Sequence, residues 1–203
     1  MNKVIFDQEL IERYGGRGPR YTSYPTAVQF HSGFGEADYK AAVARTNAMP
    51  IPDPLSIYVH IPFCHSLCYY CGCNKIITRN QERVERYIEM LYREIDMQSK
   101  LFDKTRKIEQ LHFGGGTPTF MLDEEFASLF DAISRNFEIA ADGEYSIEID
   151  PRTVNPTRLL TLRALGLNRI SLGVQDFNPE VQRAVNRIQS AHDTRVLIDS
   201  ARS

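Results

Sequence analysis

No stretch of this 203-residue sequence approaches the roughly 20 consecutive apolar residues that a bilayer-crossing helix needs. With 42% hydrophobic residues it still has enough apolar side chains to bury a core, in a length that one domain accommodates. A dominant charge is lacking too: 24 Lys and Arg stand against 26 Asp and Glu, and the two signs are mixed along the chain. Without a basic stripe nothing points to nucleic acid, and without an acidic block there is no disordered tail. The N-terminal MNKVIFDQELIERYGG carries charges inside its apolar stretch, so it is not a secretory signal. A cytoplasmic protein is the expectation, in a compartment that keeps thiols reduced. Internal repeats and low-complexity tracts are missing as well.

Cysteine is absent outside one short run. Cys64, Cys68, Cys71 and Cys73 fall within ten residues, CHSLCYYCGC, where a disulfide framework would spread them apart. The clustering reads as one metal site. A closed four-thiolate zinc site is the rival reading. Zinc motifs usually come as two separated pairs, however, and Cys71 and Cys73 stand one residue apart, awkward for one tetrahedral ion. Three thiolates from one loop suit three irons of a 4Fe–4S cube, whose fourth iron stays open as a catalytic zinc keeps a position open. Electron-transfer clusters, by contrast, are fully ligated by cysteine. Spacing alone leaves the cube, zinc and plain thiols open.

Residues 1–53 read as an irregular arm with short helices near Asp7–Tyr14 and Ala37–Thr46. Between them GGRGPRYTSYPTA has the composition of a loop, and its Arg17 and Arg20 suit a face turned toward an anionic substrate. Residues 54–203 alternate strands and helices. LSIYVHI (55–61) reads as a buried parallel strand, followed by strands at IEQLHF (108–113), EYSIEID (144–150) and NRISLGV (168–174). Val84, Tyr87, Ile88, Leu91 and Ile95 share one face of a long helix. Further helices are predicted near 123–136, 178–186 and 191–202, with Arg187 ending the one near 178–186. Another is capped by Asn155, with Pro156 at its first position and Gly166 just past its end.

Such alternation predicts βα units on a parallel sheet, whose right-handed crossovers gather all strand C-termini at one rim. The chemistry-bearing residues fall on that rim. The cysteines follow strand one, GGGTPT follows strand two, Glu148 and Asp150 close strand three, and Gln175 follows strand four. GGGTPT is not a nucleotide P-loop, because no Gly-Lys-Ser/Thr follows it.

Cys64-x3-Cys68-Tyr69-Tyr70-Cys71, placed directly after a first strand, resembles the signature of the radical S-adenosylmethionine (SAM) superfamily. PRYTSYPTA, YVHIPFC, CGCNK, GGGTPT, SIEIDPR and LGVQDFN together resemble the oxygen-independent coproporphyrinogen III dehydrogenase (oxidase) family of haem synthesis. The resemblance implies an α/β fold: a partial (β/α)6-type open barrel of parallel strands with about four βα units present, preceded by the irregular arm. It implies that the chain corresponds to the N-terminal part of a longer enzyme and is inactive by itself. It implies oxidative decarboxylation of two propionates of coproporphyrinogen III to the vinyl groups of protoporphyrinogen IX. A 4Fe–4S cluster would pass one electron to SAM, giving a 5′-deoxyadenosyl radical that abstracts hydrogen. The electron donor is unidentified.

The same resemblance assigns Cys64, Cys68 and Cys71 to the cluster. Tyr58, Gly115 and Glu148 correspond to contacts of the cluster-bound SAM. Tyr70, Gly116, Thr117, Gln175 and Arg187 correspond to contacts of a second SAM. Cys73 resembles a position beside the triad, with a role near the second SAM or the substrate. His60 and His65 are expected not to bind iron. A haem chaperone of the same superfamily is the alternative, although PRYTSYPTA and CGCN favour the enzyme; a zinc-stabilised structural module is the other. With further strands expected elsewhere, strand four would present an open edge. The isolated chain should therefore associate, and a monodisperse monomer in sedimentation would contradict this.

Overall fold

The computed structural model describes residues 6–16 and 27–203, so Arg17 and Arg20 lie outside the described residues. The chain divides into two units, Met1–Ala41 and Ala42–Ser203. In the first, helix α1 (Gln8–Tyr14) is started by Asp7, whose side chain accepts the Leu10 N–H at 2.9 Å. A single 3-10 turn follows at Ala27–Gln29, and helix α2 (Glu36–Asn47) begins in this unit and ends in the second.

The second unit is built on a four-stranded sheet. Strands β1 (Leu55–Ile61), β4 (Ile108–Gly115), β5 (Ile139–Ile149) and β6 (Arg169–Leu172) pair in sequence order, every pair parallel. Between β1 and β4 two further short strands, β2 (Phe63–Cys64) and β3 (Ile76–Ile77), pair with each other. Helices α3 (Gln81–Ser99), α4 (Asp123–Asn136) and α5 (Pro156–Ala164) make the crossovers, and α6 (Pro179–Ala184) and α7 (Ala191–Arg202) follow β6. Among the described residues no helix is long and apolar enough to cross a membrane.

The core forms where alternate strand residues meet the helices' apolar stripes. Val59, Ile61, Leu111, Phe113, Ile147 and Ile149 are buried together with Val84 and Ile88 of α3, Phe126, Leu129 and Ile133 of α4, and Leu159 and Leu162 of α5. Tyr87, Leu91 and Ile95 complete the α3 stripe as half-buried neighbours. The intervening strand residues are polar. Tyr58 is in register with His112, His112 with Ser146, and Glu148 with Ser171. LSIYVHI is thus not buried on both faces as its apolar character suggests; it alternates, and Tyr58 remains 56% exposed.

Several boundaries differ from expectation: β6 ends at Leu172 rather than Val174, and β4 runs on to Gly115. β5 starts at Ile139, ahead of a weak strand-forming Asp142-Gly143 pair, and its register against β4 slips between Ile108 and Gln110. The Tyr145 hydroxyl holds that irregularity by donating to the carbonyls of Ala140 and Ile108. The helix expected over 178–186 stops at Ala184, and Asn186 turns with φ 55°. Arg187 therefore lies in a loop and does not end a helix.

The end of α5 follows its sequence closely. Asn155 accepts the Arg158 N–H, Pro156 opens the helix, and Gly166 (φ 104°) closes it in a Schellman turn, with Leu167 N–H donating to the Leu162 carbonyl at 3.2 Å. Gly166→Ala should destabilise the chain by about 1–2 kcal/mol, the cost of a left-handed residue with a Cβ. Chemical denaturation with an unchanged m-value would show it.

Candidate functional site

The turn out of β1 carries the cysteines. β2 and β3 clamp its base: Ile76 N–H donates to Pro62 O at 2.7 Å and Thr78 N–H to Cys64 O at 3.1 Å. Its tip is tied to the segment after α6, where Val185 O accepts the Tyr69 N–H at 3.1 Å and the Asn186 amide donates to Leu67 O at 2.7 Å. Lys75 donates to the carbonyls of Cys71 and Cys73, closing the loop on itself. The cysteine loop between β2 and β3 is thereby fixed from three sides.

The glycine-rich turn after β4 presses on this loop. Gly115 adopts φ 121°, a region that residues with a Cβ rarely enter. At Gly116 a Cβ would come within 2.9 Å of Cys64 Sγ and 2.6 Å of Pro62 O. Thr117 places its hydroxyl 3.4 Å from Cys64 Sγ. Arg158 fastens the turn from below, donating to the carbonyls of Thr119 and Met121 while paired with Asp123 at 2.9 Å.

Each thiol meets a different environment. Burial pushes the half-buried Cys64 thiol above its ordinary pKa, opposed by the Thr117 hydroxyl, which favours the thiolate. Cys68 is buried, with Arg187 Nη1 at 3.5 Å and Arg152 Nη2 at 3.7 Å from its sulfur. Asp150 is ion-paired with both guanidiniums, at 3.0 Å from Arg187 and 2.7 Å from Arg152, and accepts hydrogen bonds from Arg152. Cys73 is exposed; partial burial and its hydrogen-bonded neighbour Cys71 raise its pKa, while Lys75 lowers it.

On the polar face of the sheet, Glu148 accepts the Gly115 N–H at 3.2 Å and faces His112 Nε2 at 3.5 Å. The Tyr58 hydroxyl lies 3.0 Å from His60 Nδ1, whose Nε2 is 2.8 Å from Asn74 O, so His60 is engaged away from the sulfurs. Burial, then the charges of Glu148 and Cys73, raise the Tyr58 pKa. Tyr70, Gly115, Gly116, Thr117, Glu148, Gln175, Arg187 and the four cysteines line a single cavity of about 510 Å³. Gln175 stands at φ 67°, and Arg187 Nε is buried there without a partner. Tyr58 is not among the lining residues, although its ring stacks on His112 beside Glu148.

In the sequence Arg152 carries no sign of a role, and Asp150 is one of two acids closing a strand. An acid two residues ahead of an arginine at a strand end is a common pattern on any surface.

The donor set fits a cubic cluster. Three thiols share a cavity walled by glycine on one side and cations on another. Among the described residues no three His, Cys, Asp or Glu side chains converge closely enough to hold one metal ion. Tetrahedral zinc, with Zn–S near 2.3 Å, asks for thiolates under about 4 Å apart. A cube bound by one cysteine on each of three irons does not.

These features belong to a known class, and the chain is a member of the radical SAM superfamily, which residues 58–203 match. A 4Fe–4S cluster and SAM are implied by that membership. More narrowly, the chain is 47% identical over its whole length to the oxygen-independent coproporphyrinogen III oxidase of Pseudomonas aeruginosa and covers 44% of that protein. It is 47% identical over 152 residues to the Mannheimia haemolytica protein of the same name, covering 100% of that chain and using 74% of this one. The solved coproporphyrinogen III oxidase of Escherichia coli, described as a radical SAM enzyme, superposes with a TM-score of 0.83 at 48% identity, over 98% of this chain and 43% of that one. The chain thus spans less than half the length of the first of these relatives and of the solved enzyme.

Gly116→Ala should displace Cys64 or the Pro62 carbonyl and reduce iron and sulfide uptake several-fold on anaerobic reconstitution. Gly72→Ala, whose Cβ would meet nothing within 4 Å, should keep full uptake.

Proposed function

We propose that this chain supplies the cluster- and SAM-binding part of an oxygen-independent coproporphyrinogen III dehydrogenase. One observation carries the reading: three thiols, a glycine turn and a carboxylate from successive strand ends face one cavity. Sequence similarity to named oxidases over the whole chain supports the substrate class. When bound, the reduced cluster and SAM supply a carbon-centred radical able to take hydrogen from an unactivated propionate carbon, chemistry that no side-chain acid or base provides.

The chain's own residues bind, orient and shield. Cys64, Cys68 and Cys71 hold the cluster. Glu148, Gly115 and Tyr58 receive the cluster-bound SAM, the carboxylate answering an ammonium or ribose hydroxyls. Tyr70, Gly116, Thr117, Gln175 and Arg187 contact a second SAM, for which the unpartnered Nε of Arg187 offers a donor. Cys73, exposed at the cavity mouth beside Cys71, faces the second SAM or substrate. Arg17 and Arg20 steer the four carboxylates of the porphyrinogen.

Cys68→Ser should abolish the brown charge-transfer absorption of the reconstituted protein; normal iron and sulfide content would count against the triad. The wild-type electron paramagnetic resonance spectrum should change on adding SAM. Glu148→Gln should weaken that response about tenfold in SAM concentration, the scale of one hydrogen bond to a charged group. Tight stoichiometric haem binding without porphyrinogen turnover would instead identify a haem chaperone.

A further inference from the structure

Among the three proposed cluster ligands, Cys68 is singled out by charge. Cys64 faces a neutral hydroxyl and Cys71 a neighbouring thiol. Cys68 alone faces two guanidinium groups, from Arg152 at 3.7 Å and Arg187 at 3.5 Å. Two cations this close would repel each other, and Asp150, only 8% exposed, is ion-paired with both. The carboxylate engages Arg152 through Nε at 3.1 Å and Nη2 at 2.7 Å, a bidentate grip that leaves little freedom to the guanidinium plane. The three groups sum to one net positive charge, largely withdrawn from solvent, where screening is weak.

We propose that Arg152 is a positioning residue that sets the reduction potential of the cluster through the sulfur of Cys68. The inference rests on the cluster reading above. Reduction adds one negative charge to a thiolate-ligated cluster, and a fixed cation with an N–H directed at a ligand sulfur stabilises that added charge. Hydrogen bonds to sulfur, net charge and solvent exposure are the levers by which a protein sets such potentials. Asp150 holds the donor in place and prevents the two cations from adding to an excess. Arg152 also donates to Asn186 O at 3.4 Å, so the same side chain bridges the end of β5 to the segment that ties the cysteine loop.

The sign is defined. Removing the Arg152 charge leaves the oxidised cluster relatively favoured and makes the potential more negative. In the reconstituted protein, Arg152→Gln should bind iron and sulfide normally and lower the one-electron reduction constant about tenfold, a shift of about 59 mV, read by redox titration of the paramagnetic signal. An unshifted potential at full iron content would overturn the proposal. If too little cluster assembles in that variant, Arg152→Met decides, because it removes the same charge while keeping an unbranched side chain. A negative shift supports the proposal, and a potential equal to wild type overturns it. Failure of the wild-type protein to assemble any cluster would instead sink the underlying functional reading, so the two failures are distinguishable.

Discussion

A charge buried without partners is expensive, and Asp150, near the end of the third strand of the main sheet, is buried with two cations fastened to it. The arrangement joins three segments distant in sequence. Arg152 comes from the turn after β5, Arg187 from the loop after α6, and both reach Cys68 in the turn after β1. Removing the carboxylate would leave two cations against one sulfur; removing either cation would leave a single ion pair with no net charge beside it. The geometry of the rim therefore depends on a charge triple whose members stabilise one another and have no equivalent partners in solvent.

Around that triple the sheet divides its labour by parity. Beyond the register shifts, odd-numbered positions of β1, β4 and β5, such as Val59, Leu111 and Ile147, pack under the helices, while the even-numbered Tyr58, His112 and Glu148 form a polar face. A one-residue slip in any strand would exchange these sets and put Glu148 into the core. Parallel pairing in sequence order sends every strand end to the same rim, so motifs scattered from Tyr58 to Arg187 assemble without long loops. Arg106 reinforces the opposite end, where it donates to Asp53 O at 2.7 Å and Thr46 Oγ1 at 2.9 Å beside the entry to β1.

Much of this was legible from local chemistry. Asn155, Pro156 and Gly166 announce both ends of α5 because capping is decided within a few residues. The α3 stripe and the four main strands follow from periodicity. What was illegible depends on distance in sequence. The β2–β3 pair is only two residues per strand and has no pattern to read. The early start of β5 requires the Tyr145 hydroxyl to hold an irregular stretch that Asp142 and Gly143 would otherwise leave as a turn. The burial of Arg187 depends on Asp150 and Cys68, which lie 37 and 119 residues away.

The glycine turn shows why a short motif can be so constrained when its neighbours are remote. Gly115 is required by its own backbone angle, whereas Gly116 is required by the position of Cys64 and Pro62, which the first strand delivers. Thr117 then has no freedom to stand elsewhere, because its N–H donates to Phe63 O at 2.9 Å and its hydroxyl meets Cys64. Consecutive residues thus answer to different causes, one torsional, one steric and one hydrogen-bonding. The last two converge on a single thiol, that of Cys64, and it is this convergence that turns a glycine run into one wall of the cavity.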